Sequence, residues 1–230
     1  MEAMSGKFRW QPSEGIKAAA RITHFMKALG VPDYPTLLQR SVEDQAWFYE
    51  SLLRYIDFRF YTPYERILDV SNGIARARWC VGATSNFVLN CLDRHRGTPT
   101  WAKTYLLWEG EDGRTRQYTY AEFDAEVCRF ANGLLSLGIG ESDVVGLYMP
   151  MVPETFIAYF GTMKIGAVIM PLFSGFGEAS LATRLNDGGA KAVVTVDATW
   201  RRGKPGAMKP VLDLALAHAP SVSKVIVVRH

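Results

Sequence analysis

Three cations in four residues, Arg201-Arg202-Gly203-Lys204, follow closely on an apolar run that ends at Val196. Arginine presents a planar fork of donors and lysine a point charge, so such a cluster suits a phosphate. Gly203 allows a sharp bend there, and Trp200 beside it can stack on a base or lie against an acyl chain. A second stretch, Phe173-Ser174-Gly175-Phe176-Gly177-Glu178, sets small residues between aromatics just before a helix start. Backbone N–H groups at such a start attract anions, and glycine lets a ligand come close. Each stretch also has a plainer reading. The first can be a solvated basic loop and the second a strand-to-helix turn. Asp93-Arg94-His95 invites a catalytic reading but fits a structural cap after a helix. The sequence holds no GxxxxGK[ST], HExxH, GxSxG or spaced GxGxxG, so no residue is assigned a catalytic role and no metal ligand is named.

The elements around these residues follow from periodicity. After Pro99, short strands over Leu106–Glu109 and Arg116–Tyr120 flank Glu111-Asp112-Gly113, a hairpin turn signal. Thr119 and Glu122 form a capping box. The helix that follows places Phe123, Val127, Phe130, Leu134 and Leu137 on one stripe, and Gly138 stops it. Four apolar strands come next: VVGLYM, AVIMPLF, KAVVTV and KVIVV. Helices alternate with them, one opened by Pro153 and others over Glu178–Asn186 and Met208–His218. Strands apolar on both faces that alternate with helices predict an α/β fold, a parallel, helix-covered sheet of βαβ units. Ligands in such sheets collect outside the carboxyl ends of the strands. Three loops qualify: Pro150–Glu154, Phe173–Glu178 and Asp197–Lys204.

Residues 1–100 differ in character and read as a mostly helical, irregular extension that could be a wrapping arm. SVEDQAWFYESLLRYI is predicted as a helix capped by Ser41, and GATSNFVLNCLDRH as a short second one. The boundary is therefore placed at 100/101, with 101–230 as the sheet domain.

Composition bounds the function. At 230 residues and 48% apolar the chain can bury a real core, and a net charge of +3 without a long basic block gives no case for nucleic acid. Cys80, Cys91 and Cys128 are too few and too widely spaced for a disulfide framework or a zinc site. MEAMSGKFRWQPSEG lacks the apolar core of a signal peptide, and no run reaches membrane-span length. The expectation is a cytoplasmic protein that binds neither membrane nor nucleic acid.

NCLDRH, WEGEDG, YTYAEFDAEVCRFANGLLSLGIGESDVVGLYMPMVPE, GAVIMPLFSGF and VTVDATWRRGK, in that order, resemble the amino-terminal part of AMP-forming acetyl-CoA synthetases and their acyl-CoA relatives. These belong to the adenylate-forming superfamily. The resemblance runs from about Trp47 to the last residue. It implies a two-step reaction with ATP, CoA and a short carboxylic acid as substrates, assisted by magnesium. It also aligns the family's Phe-Gly-Gly-Phe loop with Phe173-Ser174-Gly175-Phe176, and its Arg-x-Gly-Arg with Arg201-Arg202-Gly203-Lys204. The CoA-binding residues it implies are thus Phe173, Ser174, Gly175, Arg201 and Lys204. Ser174 stands where the family has glycine, which would cost more if φ were positive there. Lys204 keeps the charge of an arginine but loses the fork.

In that family the phosphate loop, the magnesium-binding acid, the acyl pocket and the mobile-domain lysine lie beyond the equivalent of His230. The expectation is an amino-terminal fragment, inactive alone, whose partner is the remainder of the same polypeptide. The alternative is a stand-alone CoA- or nucleotide-binding module without catalysis. A weaker reading is a scaffold without ligand.

Overall fold

The computed structural model describes residues 10–229 except Arg202, and of Arg201 the backbone alone. The chain divides into two compact units, Met1–Ser85 and Asn86–His230. The division falls upstream of the 100/101 boundary expected from sequence.

The first unit holds helices α1 (Glu14–Ala19), α2 (Arg21–Ala28), α3 (Tyr34–Glu43) and α4 (Gln45–Tyr55), then antiparallel strands β1 (Arg66–Asp69) and β2 (Arg78–Val81). The single helix expected from Ser41 is two helices. Ser41 lies inside α3, where its hydroxyl donates to the Leu38 carbonyl at 2.7 Å. Asp44 caps α4 instead, accepting from the Trp47 N–H at 2.9 Å. A carboxylate at this position satisfies an orphan N–H and also meets the positive end of the helix dipole. Phe25, Val31 and Leu37 are buried together, with Trp47, Phe48 and Leu52 packed on them. The stretch read as a wrapping arm therefore has a small core of its own.

The second unit begins with α5 (Phe87–Cys91), capped by the Asn86 side chain, which accepts from the Val88 N–H at 2.8 Å. Val88 and Leu92 are fully buried among Phe123, Val127, Ile157 and Phe160. That burial is why the residues just after Ser85 belong with this unit. Strands β3 (Thr104–Glu109) and β4 (Thr115–Thr119) form the expected hairpin. The capping box of Thr119 and Glu122 then opens α6 (Tyr120–Ser136). Of the predicted stripe, Phe123, Val127 and Leu134 are buried and Phe130 partly so. Leu137 is exposed, because the helix ends at Ser136 and Leu137 is already its C-cap.

The chain continues through β5 (Val144–Tyr148), α7 (Pro153–Lys164), β6 (Val168–Leu172), α8 (Glu178–Asp187), β7 (Ala192–Val196), β8 (Ala198–Arg201), β9 (Lys204–Ala207), α9 (Lys209–Leu216) and β10 (Lys224–Val228). Four of these strands form one parallel sheet in the order β10-β7-β5-β6. The two central strands, β5 and β7, are buried almost throughout, while the flanking β6 and β10 are more exposed. Pro171, which lacks an N–H, sits in a flanking strand, where its missing donor costs least. The sequence-predicted α/β architecture is the observed one. Among the described residues no helix is long and apolar enough to cross a membrane.

One expected loop is not a loop. Asp197–Lys204 is mostly β8 and the start of β9, an antiparallel hairpin with Arg201 opposite Lys204. Between the two strands Gly203 has φ +71°, a conformation that favours glycine in tight turns.

Candidate functional site

All four strands of the parallel sheet point the same way, so the carboxyl ends of neighbouring β5, β6 and β7 lie along one rim. The three loops expected from sequence do meet there. Pro150, Met151 and Val152 after β5, Phe173 and Ser174 after β6, and Thr199 and Trp200 of β8 line one cavity of about 340 Å³. Its remaining wall is Trp108 to Asp112, the end of β3 and the hairpin tip. Ligand sites in open α/β sheets form in this kind of place, outside the strand ends.

Phe173-Ser174-Gly175-Phe176 is a tight turn, in which the Phe176 N–H donates to the Phe173 carbonyl at 2.9 Å. The two rings meet edge to face, 5.6 Å between centroids. Beneath the turn, the buried Tyr148 hydroxyl lies 3.2 Å from the Ser174 and Phe176 carbonyls and donates to them. Burial pushes the Tyr148 phenol up, so it remains a protonated donor at neutral pH. The Arg184 guanidinium covers the Phe176 ring at 4.2 Å, a cation–π contact.

Gly175 leaves room for the Phe173 ring to fold back over the turn. A Cβ there would stand 2.6 Å from Cε1 of Phe173. Neither Ser174 nor Gly175 has a positive φ, so the serine carries none of the strain that a left-handed position would impose. The Phe173 ring is 60% exposed and Met151 72%, giving the cavity an apolar rim that a ligand can cover.

In the sequence the hairpin tip is a turn signal and part of the stretch WEGEDG that carries the resemblance, with no site role attached to either. Its residues nonetheless build a wall. The Trp108 indole N–H donates to the Met151 carbonyl at 2.7 Å, tying this wall to the loop after β5. Arg116 stacks over Trp108 at 5.2 Å and is gripped by both oxygens of Glu154 at 2.5 and 2.7 Å. Glu154, in the first turn of α7, thus does more than complement the helix dipole. At the tip, Asp112 accepts from Arg114, while the Glu111 carboxylate accepts from the Gly203 N–H at 3.2 Å. The signal was present as Trp-Glu-Gly-Glu-Asp-Gly, an aromatic with acids at a turn, but a turn residue carries no address for its partner.

The candidate residues are therefore placed unevenly. Phe173 and Ser174 line the cavity, and Gly175 lies under the Phe173 ring. Lys204 is exposed on the hairpin and does not line the cavity. The Arg201 side chain and Arg202 lie outside the described residues. No group of three or more His, Cys, Asp and Glu side chains among the described residues could hold a metal ion. A larger cavity of about 580 Å³ is walled by Phe130, Leu134, Leu137, Ile157, Ile226 and Val228. It touches neither the Phe173–Glu178 turn nor the basic hairpin.

Two family models match successive parts of the chain. A family model described as AMP-binding enzyme matches residues 94–229, and one described as acetyl-coenzyme A synthetase N-terminus matches residues 34–91. The acetyl-coenzyme A synthetase of Deinococcus radiodurans is 36% identical over 218 residues, covering 95% of this chain and 32% of that protein. The acetyl-coenzyme A synthetase of Thiobacillus denitrificans is 41% identical over 221 residues, again 95% of this chain and 32% of the relative. The solved structure of acetoacetyl-CoA synthetase from Streptomyces lividans superposes with a TM-score of 0.86 at 28% identity, covering 95% of this chain and 34% of that one. The chain spans about a third of the length of these three relatives.

Proposed function

The chain belongs to the AMP-binding enzyme family, and we propose from that premise that it supplies the CoA-facing part of an ATP-dependent, AMP-forming acyl-CoA ligase. The substrate acid is acetate or another short carboxylic acid. In the first half-reaction its carboxylate oxygen attacks the α-phosphorus of ATP, the α–β anhydride bond breaks, and pyrophosphate leaves. In the second, the CoA sulfur attacks the acyl carbon of the adenylate, loses its proton to solvent, and expels AMP. The relatives' names support the acyl-CoA product: two are acetyl-coenzyme A synthetases and one an acetoacetyl-CoA synthetase.

The observation that carries the reading is the meeting of three strand-end loops around one aromatic-rimmed cavity beside a cationic hairpin. In this proposal the turn at Phe173, Ser174 and Gly175 lets the CoA nucleotide approach the backbone. Arg201 and Lys204 attract its ribose phosphate. Trp200, 43% exposed on the same hairpin, offers a face for stacking. The described residues contain no acidic cluster that would hold magnesium, and no step is assigned to a metal here. The remainder of the reaction's groups, magnesium ligands included, belong to other parts of the same polypeptide in this reading. The site of action is the cytoplasm. The domain division proposed is an acetyl-CoA-synthetase-like amino-terminal unit followed by the first part of the AMP-binding domain.

Two measurements test this. Given acetate, ATP and CoA, the 230-residue chain is expected to release no pyrophosphate above background. Robust turnover would show that the chain already holds the machinery assigned elsewhere. In calorimetry with CoA, the double variant Arg201→Ala, Lys204→Ala is expected to bind roughly tenfold more weakly than wild type, the loss of about one charge-assisted contact. Identical isotherms would remove these two residues from the site.

A further inference from the structure

One buried hydroxyl has two acceptors in the turn after β6. Tyr148, the last residue of the central strand β5, is 2% exposed, and its single O–H is shared between the Ser174 and Phe176 carbonyls, each 3.2 Å away. Little else fixes this turn. Its own backbone bond, from the Phe176 N–H to the Phe173 carbonyl, leaves the Ser174–Gly175 and Phe176–Gly177 peptide units unheld. Each of those units leads into glycine, the residue with the freest backbone. No side chain caps α8, whose N-cap is Gly177. Both peptide bonds are trans, and in a trans unit the C=O and N–H point opposite ways. A carbonyl drawn inward to Tyr148 therefore turns the N–H of the next residue outward. Neither the Gly175 nor the Gly177 N–H finds an acceptor among the described residues.

We infer that Tyr148 is a positioning residue for CoA binding: its hydroxyl holds two peptide units so that the Gly175 and Gly177 N–H groups face the ligand rather than the core. This rests on the CoA reading of the Phe173-Ser174-Gly175-Phe176 turn. Tyr148, buried beneath that turn, acts through it. The placement follows from the sheet. Tyr148 pairs with Leu172 in the parallel register of β5 and β6, so the ring that ends β5 stands beside the point where β6 gives way to the turn. The ring alone would fill the core equally well. Without the hydroxyl, both carbonyls lose their donor and must seek water or another N–H. With glycine on the far side of each unit, nothing resists the rotation that follows. The N–H groups then leave the ligand-facing side. Donors already set in place bind at a lower ordering cost than mobile ones.

The test uses the full 230-residue chain and the variant Tyr148→Phe, which keeps the ring. In calorimetry, CoA is expected to bind the variant about five- to tenfold more weakly, the span of one hydrogen bond. In NMR, the carbonyl carbon resonances of Ser174 and Phe176 are expected to move upfield in the variant, while those of β10, two strands away, stay in place. A purely structural role would lower the urea midpoint and leave CoA affinity unchanged, and that result overturns the proposal. So do carbonyl resonances that do not move. Should the variant fail to fold, wild type alone decides. Its Tyr148 hydroxyl proton is expected as a separate resonance protected from exchange with water, and a freely exchanging hydroxyl overturns the proposal. Failure of the CoA reading is separable: neither protein would bind CoA, yet the two carbonyl resonances would still move. That result keeps the hold of Tyr148 on the turn and overturns its service to CoA.

Discussion

Replacing Phe123 by alanine is expected to destabilise the second unit by about 3–5 kcal/mol, the largest effect of any single truncation proposed here. Phe123 is fully buried on the inner stripe of α6. Its ring centroid lies 4.6 Å from Tyr105, 5.4 Å from Phe160 and 6.5 Å from Tyr118. These partners come from β3, α7 and β4, so the ring joins the hairpin that forms one cavity wall to the helices beneath it. Alanine removes the buried ring and leaves a void that its aromatic neighbours, of which Tyr105 and Phe160 already meet edge to face, cannot fill without leaving their rotamers. Urea unfolding of wild type and variant measures the loss. A second readout is local. Burial pushes the Tyr105 phenol well above its ordinary value, and water admitted by the void is expected to bring it down in a spectroscopic pH titration. A stability loss under about 1 kcal/mol, with an unmoved Tyr105, would mean that Phe123 is not the keystone of this cluster.

Much of this packing was legible because it is periodic. The four apolar runs became four parallel strands, and the α6 stripe put Phe123, Val127 and Leu134 inside, because burial on a fixed face leaves a fixed spacing in the sequence. The strand-end rule then named three loops that do share a cavity. What escaped has physical reasons. Lys204-Pro205-Gly206-Ala207 shows no alternation of apolar and polar residues, so β9 left no strand signal although it pairs with β8 residue by residue. Ser41 and Asp44 both suit a cap, and only the break between α3 and α4 chooses. Glu111 and Trp108 became part of the site through contacts with Gly203 and Met151, far along the chain. No local pattern encodes such meetings. Gly175 was read as room for a ligand, and the structure adds a nearer reason, the Phe173 ring lying over it.

Lys164→Met is expected to cost the second unit about 2–3 kcal/mol at neutral pH. The Lys164 ammonium, in the last turn of α7, donates to Asp93 at 2.7 Å and to Asp124 at 3.0 Å. Arg96 closes the group from the outside, donating to Asp124 at 2.6 Å and standing 3.3 Å from Asp93. Asp93, which in sequence suggested either catalysis or a cap, is thus committed to joining the turn after α5 to α7. The side chains of Asp124 and Lys164 are only 8% and 20% exposed. Removing the lysine leaves two carboxylates sharing one half-exposed arginine, and stranding buried charge is what makes such a change costly. Fully buried pairs lose about 3–5 kcal/mol, and partial exposure of Lys164 and Asp93 lowers the figure. The pH dependence has a definite sign. Burial alone would lower the Lys164 ammonium, but hydrogen bonds to Asp93 and Asp124 outweigh it and hold the group above its ordinary 10.5. The folded state then favours the proton, so the contribution is complete at neutral pH and fades as pH rises beyond 10.5. Unfolding curves of wild type and variant should accordingly lie apart at pH 7 and converge in strong alkali. Curves that coincide at pH 7 would leave the cluster with no part in holding α5, α6 and α7 together.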